Sequence, residues 1–98
     1  MSAATPLTIV HHTEAGCFEA TVEGLRCVAD YHLSEGVMHL THTVVPKELE
    51  GRGIAAQLVI AALTWARAQG LQVNPVCSYV AVYIRRHPEW QDLLAPQS

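Results

Sequence analysis

Hydrophobic and polar positions alternate through the first half of the chain and then change period. Cys17 to Val22 reads Cys-Phe-Glu-Ala-Thr-Val, an alternation that marks a half-buried strand. Leu7 to His12 precedes it as a first strand. Leu25 to Leu33 and the Val- and Thr-rich Val37 to Val45 follow as a third and a fourth. Short turn-forming stretches separate them: Glu14-Ala15-Gly16, Glu23-Gly24 and Ser34-Glu35-Gly36. Four strands joined this way imply an antiparallel meander. Pro46 stops the fourth strand, because proline has no N–H to give to a ladder. Strict alternation along that strand puts His39, Thr41, Thr43 and Val45 on one face, and Met38, His42 and Val44 on the other.

Beyond a loop with two glycines the pattern becomes helical, from Gly53 to Gln69, with Gly70 as the stop. Gln57, Thr64 and Arg67 fall on one polar stripe. The remaining face carries Ile54, Leu58, Val59, Ala61, Ala62, Leu63, Trp65 and Ala66. So wide an apolar face packs on the sheet, which allows a monomer with both helices on one sheet face or a weak homodimer. Leu71-Gln72-Val73 reads as a fifth strand closed by Asn74-Pro75. A second helix, Ser78 to Arg86, ends before Pro88, since a residue preceding proline avoids helical dihedrals. Glu89 to Leu94 forms a short helical turn, and Ala95 to Ser98 a polar tail. Four antiparallel strands, helix, strand, helix is an α+β order, with residues 1–98 as one domain whose core spans about 7–94.

Composition narrows the function. Half the residues are apolar and 15% are charged, which excludes disorder. A net charge of −3 without a basic run argues against nucleic acid. No apolar run reaches the roughly 20 residues of a membrane span, and Met1 to Pro6 lacks the regions of a signal peptide. Cys17, Cys27 and Cys77 form no disulfide pattern, so a reducing cytoplasm is the expected location. The six histidines and three cysteines contain no Cys-x-x-Cys or His-Glu-x-x-His, and no metal site is expected.

The chemistry centres on the strand–loop–helix junction from His42 onward. A helix start leaves N–H groups without intrahelical partners at the positive end of the helix dipole, where a phosphate can bind. A P-loop is excluded because no Lys-Ser or Lys-Thr follows the glycines. The dinucleotide fingerprint fails because Ala56 stands at its third glycine. Glu50-Gly51-Arg52-Gly53-Ile54-Ala55 instead resembles the [Gln/Arg]-x-x-Gly-x-[Gly/Ala] signature of GNAT-type N-acetyltransferases, with Glu50 where Gln or Arg is usual. Val45-Pro46 before the loop, Cys77-Ser78-Tyr79 after the fifth strand and Arg86-His87-Pro88-Glu89 resemble the short, single-domain branch of that superfamily. The resemblance spans about residues 17 to 94. It implies a minimal GNAT-like fold that lacks the two helices after the first strand and the two final strands of larger members.

The resemblance also implies an activity: transfer of an acetyl group from acetyl-coenzyme A to an amine. The loop amides of Arg52, Gly53, Ile54, Ala55 and Ala56 would hold the pyrophosphate, with Arg52 able to add a charge contact. The backbone of Val44 and Val45 would pair with the pantetheine arm. Without the missing helices the acceptor cleft is open, which suits an exposed amine on a protein or a polyamine. The alternative is a coenzyme A-binding or protein-interaction module without catalysis, which the substitution at Glu50 favours.

Three side chains are candidates for the chemistry. Cys77 precedes a helix start, where the dipole lowers a thiol pKa, and in the resembled branch this cysteine lies near the thioester. It is either a nucleophile that takes the acetyl group or a small residue lining the pocket. Tyr83 resembles the tyrosine that protonates the leaving thiolate in larger members, and Tyr79, one turn earlier, could replace it. An acceptor amine with a pKa near about 10.4 must lose a proton; His42 is the first candidate base and His39 the second.

Overall fold

The computed structural model describes residues 7–96; the Met1 to Pro6 stretch and the last two residues of the tail lie outside the described residues. Five strands form one sheet in chain order: β1 (Val10–His12), β2 (Cys17–Val22), β3 (Leu25–Ser34), β4 (Val37–Val44) and β5 (Gln72–Pro75). The first four make the expected antiparallel meander. β5 runs parallel to β4, and a parallel neighbour requires a crossover, which α1 (Ile54–Ala68) supplies. α2 (Ser78–Arg86) follows, then a 3-10 turn over Pro88–Leu93. That turn returns the chain to β5, where the Ala95 N–H donates to the Val73 carbonyl at 2.8 Å.

Local sequence explains the meander. Val22 pairs with Leu25 and Ser34 with Val37, so Glu23-Gly24 and Glu35-Gly36 are two-residue hairpin turns. Both residues of each turn have positive φ, 52° and 78° in the first, 51° and 78° in the second. This is the turn whose twist matches the strands it joins, and glycine takes its second position without steric cost.

One apolar core holds the layers together. Phe18, Ala29, Tyr31, Met38, Leu40 and Val73 of the sheet meet Leu58, Val59, Ala62 and Leu63 of α1 and Val80 and Ile84 of α2. Full burial of each large side chain contributes about 1.5–3 kcal/mol relative to exposure. Both helices therefore cover the same side of the sheet. Thr64 and Arg67 lie on the exposed side of α1 as the polar stripe requires, with Ile60 beside them at 38% exposure. Only residues 13–16 connect β1 to β2, and among the described residues no helix packs on the other side of the sheet.

The strand boundaries differ from the sequence reading in four places, of which β3, ending at Ser34 rather than Leu33, is one. β1 begins at Val10 rather than Leu7, although Leu7 and Ile9 pack against the core. β4 ends at Val44, one residue early. β5 spans Gln72–Pro75 rather than Leu71–Val73; Pro75 is tolerated as its last residue.

The larger correction concerns the faces of β4. Tyr31 pairs with Leu40 and Asp30 with His42, so Thr41 is an extra residue, a β-bulge. Its hydroxyl donates to the Asp30 carbonyl at 3.4 Å. The bulge reverses the alternation. Thr43, opposite Ala29, joins Met38 and Leu40 on the helix-covered side. His42 and Val44, opposite Asp30 and Val28, face the helix-free side with His39, which pairs with His32.

Gly16 gives a test of this packing. Its φ is +72°, and a Cβ there would lie 2.7 Å from the Tyr31 carbonyl oxygen; Gly36 has φ +78° and nothing within 4 Å. Gly16→Ala should lose about 2–4 kcal/mol in urea unfolding, and Gly36→Ala about 1–2 kcal/mol. Equal losses would show that the Tyr31 carbonyl does not constrain this turn.

Candidate active site

β4 and β5 pair only as far as Leu40 and Pro75. Pro75 has no N–H, and the last link between the two segments is the Cys77 N–H donating to the Leu40 carbonyl at 2.8 Å. Beyond it β4 continues to Val44 with, among the described residues, no partner strand on this side, and the chain turns into α2. The strands part there. On the helix-covered side a cavity of about 440 Å³ opens, walled by Thr43 and Val45 of the β4 end, Leu49 to Gly51 and Gly53 of the loop, Ala55 and Ala56 of α1, and Tyr79 of α2.

The loop is held by its own sequence. Pro46 starts a 3-10 turn, Lys47–Leu49, in which the Leu49 N–H donates to the Pro46 carbonyl at 2.9 Å, and the Leu49 side chain is fully buried. Gly53 is the N-cap of α1 with φ 77°, a left-handed conformation that a β-carbon disfavours. The first helical bond runs from the Gln57 N–H to the Gly53 carbonyl at 3.2 Å, so the N–H groups of Ile54, Ala55 and Ala56 have no acceptor within the helix. The N-cap makes no side-chain capping hydrogen bond to them, and the first turn carries no acidic residue. The positive end of a 15-residue helix thus faces the cavity, as anion binding requires.

Arg52 does not add to that charge. Its guanidinium donates to the Glu23 carboxylate at 2.6 Å, on the turn between β2 and β3, and the side chain leaves the cavity wall. Among the named loop residues, Gly53, Ala55, Ala56 and Val45 line the cavity. The Ile54 side chain is in the core, and Val44 is exposed on the other side of the sheet. The sequence reading missed Thr43 as a wall residue, because the bulge that turns it inward is a feature of the pairing of β3 with β4.

Cys77 is the N-cap of α2, its Sγ 3.6 Å from the Thr43 hydroxyl. Burial by itself would raise its pKa. The N–H of Val80, the hydroxyl of Thr43 and the N–H groups of Tyr79 and Thr43 favour the thiolate more strongly, and the thiol is held below its ordinary value. The neutral thiol makes no capping hydrogen bond; the charged form is the one these groups stabilise. Tyr79, beside it, has its pKa raised by burial and then by the Cys77 charge, so its hydroxyl keeps its proton. Tyr83 lies farther along α2, its ring stacked on His87 at 4.0 Å between centroids, and it does not line the cavity. His42 is exposed on the helix-free side, and His39 on that side is hydrogen-bonded to Asn74 at 3.0 Å. Cys77 and Tyr79 are thus brought together with the glycine loop; Tyr83 and His42 are not. All three cysteines are free, and among the described residues no group of His, Cys, Asp or Glu is arranged to hold a metal ion.

Comparison with known proteins identifies the family and the fold. Residues 17–93 match the sequence model of the GCN5-related N-acetyl-transferase family. Protein NATD1 of Mus musculus is 30% identical over 86 residues, which covers 85% of this chain and 78% of the mouse protein. Protein NATD1 of Gallus gallus has the same identity and coverage. The NMR structure of a GCN5-like protein from Staphylococcus aureus superimposes with a TM-score of 0.75, covering 94% of this chain and 91% of that one, at 21% sequence identity. That likeness establishes a shared fold.

The pKa directions yield a test that needs no ligand. Iodoacetamide should alkylate Cys77 with a pH midpoint below that of an ordinary cysteine, the rate falling as pH drops through that lowered pKa. Cys17 and Cys27, buried and with pKa values raised first by burial, should stay unmodified in the folded protein. A midpoint at or above that of free cysteine would contradict the thiolate site.

Proposed function

Because this chain belongs to the GCN5-related N-acetyltransferase family, we propose that it moves an acetyl group from acetyl-coenzyme A to an amine, at the parting of β4 and β5. The observation that carries the reading is the thiolate-favouring Cys77 in contact with Thr43, which shares the wall of one cavity with Tyr79 and an uncapped helix start. The chemistry of the walls fits the cosubstrate: free N–H groups suit a diphosphate, and an apolar flank with an unpaired strand edge suits a peptide-like arm. Acetyl-coenzyme A supplies an activated acyl carbon and a stable leaving thiolate. Three or four charge-assisted hydrogen bonds of about 1.5–3 kcal/mol each support roughly micromolar binding, about −8 kcal/mol, after the costs of association.

The residues divide the work as follows. The Cys77 thiolate attacks the acetyl carbon; the bond from that carbon to the coenzyme sulfur breaks, and the Tyr79 hydroxyl gives its proton to the leaving thiolate. The acceptor amine then attacks acetyl-Cys77. The carbon–sulfur bond breaks, the Cys77 thiolate returns, and the proton from nitrogen restores Tyr79. Tyr79 takes the role that the sequence resemblance assigned to Tyr83, because Tyr79 borders both Cys77 and the cavity. His42 faces the helix-free side, apart from the cavity, so the acceptor ammonium is assigned solvent rather than His42 as the base that takes its first proton. That open side suits an exposed amine on a protein or a polyamine, and the free thiols suit a reducing compartment such as the cytoplasm.

Incubation with acetyl-coenzyme A and no acceptor should add one acetyl mass to Cys77, removable by hydroxylamine. Cys77→Ala should abolish the adduct and the turnover. An alanine variant with near wild-type turnover would sink the covalent route and leave direct attack by the amine. The Glu50 carboxylate at the cavity wall favours a second reading, a binding module without catalysis; coenzyme A affinity without adduct or turnover would support it. In either case Gly53→Asp, which sets a negative charge at the helix start, should weaken coenzyme A binding at least about tenfold by calorimetry. Unchanged affinity in a folded variant would rule out this loop as the phosphate site.

A further inference from the structure

Among the described residues that wall the cavity at the parted strands, Thr43 and Tyr79 alone carry a side-chain hydrogen-bond donor. The Tyr79 hydroxyl is occupied in the steps above, where it gives its proton to the leaving thiolate. The Thr43 hydroxyl takes no part in those steps, although it lies 3.6 Å from the Cys77 sulfur.

The backbone places that hydroxyl. In a strand of strict alternation Thr43 would share a face with His39 and Thr41, on the helix-free side. The extra residue at Thr41 turns it to the helix-covered side, opposite Ala29. The two threonine hydroxyls then differ in what they touch. That of Thr41 donates to the Asp30 carbonyl, a contact within the sheet, and that of Thr43 meets Cys77. A β-branched side chain has few χ1 choices, so the hydroxyl stays where the bulge sets it.

A hydroxyl both accepts and donates. While Cys77 is a thiol, its S–H donates to the Thr43 oxygen; once it is a thiolate, the Thr43 O–H turns and donates to the sulfur. Attack on the thioester moves the negative charge. The sulfur forms its bond to the acetyl carbon, and the π pair of the carbonyl goes to oxygen, which then carries the charge that sulfur has lost. Sulfur and oxygen are now bonded to one carbon. A donor in contact with the first needs only rotation about its own C–O bond to reach the second.

We propose that Thr43 is a catalytic residue, its hydroxyl the donor that holds the acetyl oxygen while Cys77 takes up and releases the acetyl group. The proposal rests on the covalent reading above. The Thr43 proton stays on its own oxygen throughout. When the oxyanion returns its pair to carbon, the bond to the coenzyme sulfur breaks and the Tyr79 proton passes to that sulfur. In the second half the amine adds to acetyl-Cys77, the same oxygen becomes negative again beside Thr43, and its collapse expels the Cys77 thiolate. Loss of one such donor from an enclosed site slows acyl transfer by about 10²–10³. Thr43 is only half-buried, so a smaller factor is expected here.

Two reactions of the same thiolate separate this role from a merely structural one. Acetylation passes through an oxyanion; alkylation by iodoacetamide displaces iodide and does not. Both rates are measured by mass spectrometry of the full chain at a pH above the Cys77 midpoint of every variant, the first with saturating acetyl-coenzyme A and no acceptor. Thr43→Val, which exchanges the hydroxyl for a methyl group, should slow acetylation at least about tenfold and alkylation less than about twofold. Thr43→Ala should do the same. Thr43→Ser, which keeps the hydroxyl, should acetylate within about threefold of the wild type. Equal slowing of both reactions in Thr43→Val, or unchanged acetylation, would overturn the proposal and leave the covalent reading standing. Failure of the wild type to form acetyl-Cys77 would overturn both.

Discussion

The hydrogen bond from the Cys77 N–H to the Leu40 carbonyl is the contact around which the site is built. It is the last tie between β4 and β5, and it falls where Pro75 has just withdrawn a donor and the Thr41 bulge has just reversed β4. Three consequences follow from this one place in the chain. The strands part beyond it and leave a strand edge open. Thr43 turns to the side where the helices lie. Cys77 becomes the N-cap of α2, with the N–H groups of Tyr79 and Val80 ahead of it and the Thr43 hydroxyl beside it.

Backbone groups, more than charged side chains, set the electrostatics. Three of the six Lys and Arg residues are neutralised within the fold, and Arg52, the arginine of the glycine loop, is one of them. The anion site at the loop therefore depends on uncapped N–H groups and the dipole of α1. Left-handed Gly53 is what allows the chain to enter α1 without a capping side chain. The same device acts at α2, where N–H groups outweigh the burial that would otherwise raise the Cys77 pKa. A helix start is a weak anion site in water. Here the start of α1 stands at the wall of a cavity, with Tyr79 of α2 opposite, where solvent screens it less.

Much of the fold was legible because its signals are local. Glu-Gly pairs between alternating segments announce hairpins, and an Ala- and Leu-rich run bounded by Gly53 and Gly70 announces α1. The glycine loop and Cys77 could be found for the same reason, since turn chemistry and helix starts leave marks at fixed positions. The bulge at Thr41 could not be found. It is a property of the pairing between Tyr31–Asp30 and Leu40–His42, and the polar run Thr41-His42-Thr43 does not by itself show which residue is the extra one. Every assignment that depended on the phase of β4 was affected. His42 moved to the helix-free side, Thr43 moved to the cavity, and the open backbone of Val44 parted from its side chain. The ion pair of Arg52 was not legible for a related reason, because its partner Glu23 is 29 residues away in the chain and adjacent only once the meander forms.

The central claim is that the parting of β4 and β5, the loop at Gly53 and the start of α2 form one site for an acyl thioester. A titration of the ¹⁵N-labelled protein with acetyl-coenzyme A, followed through backbone amide shifts, reads all three segments at once. The largest changes should fall on Thr43 to Val45, Gly53 to Ala56 and Cys77 to Val80, saturating together with a single affinity. Changes confined to the helix-free side, at His12, His32 and His39, or no change at millimolar ligand, would contradict it.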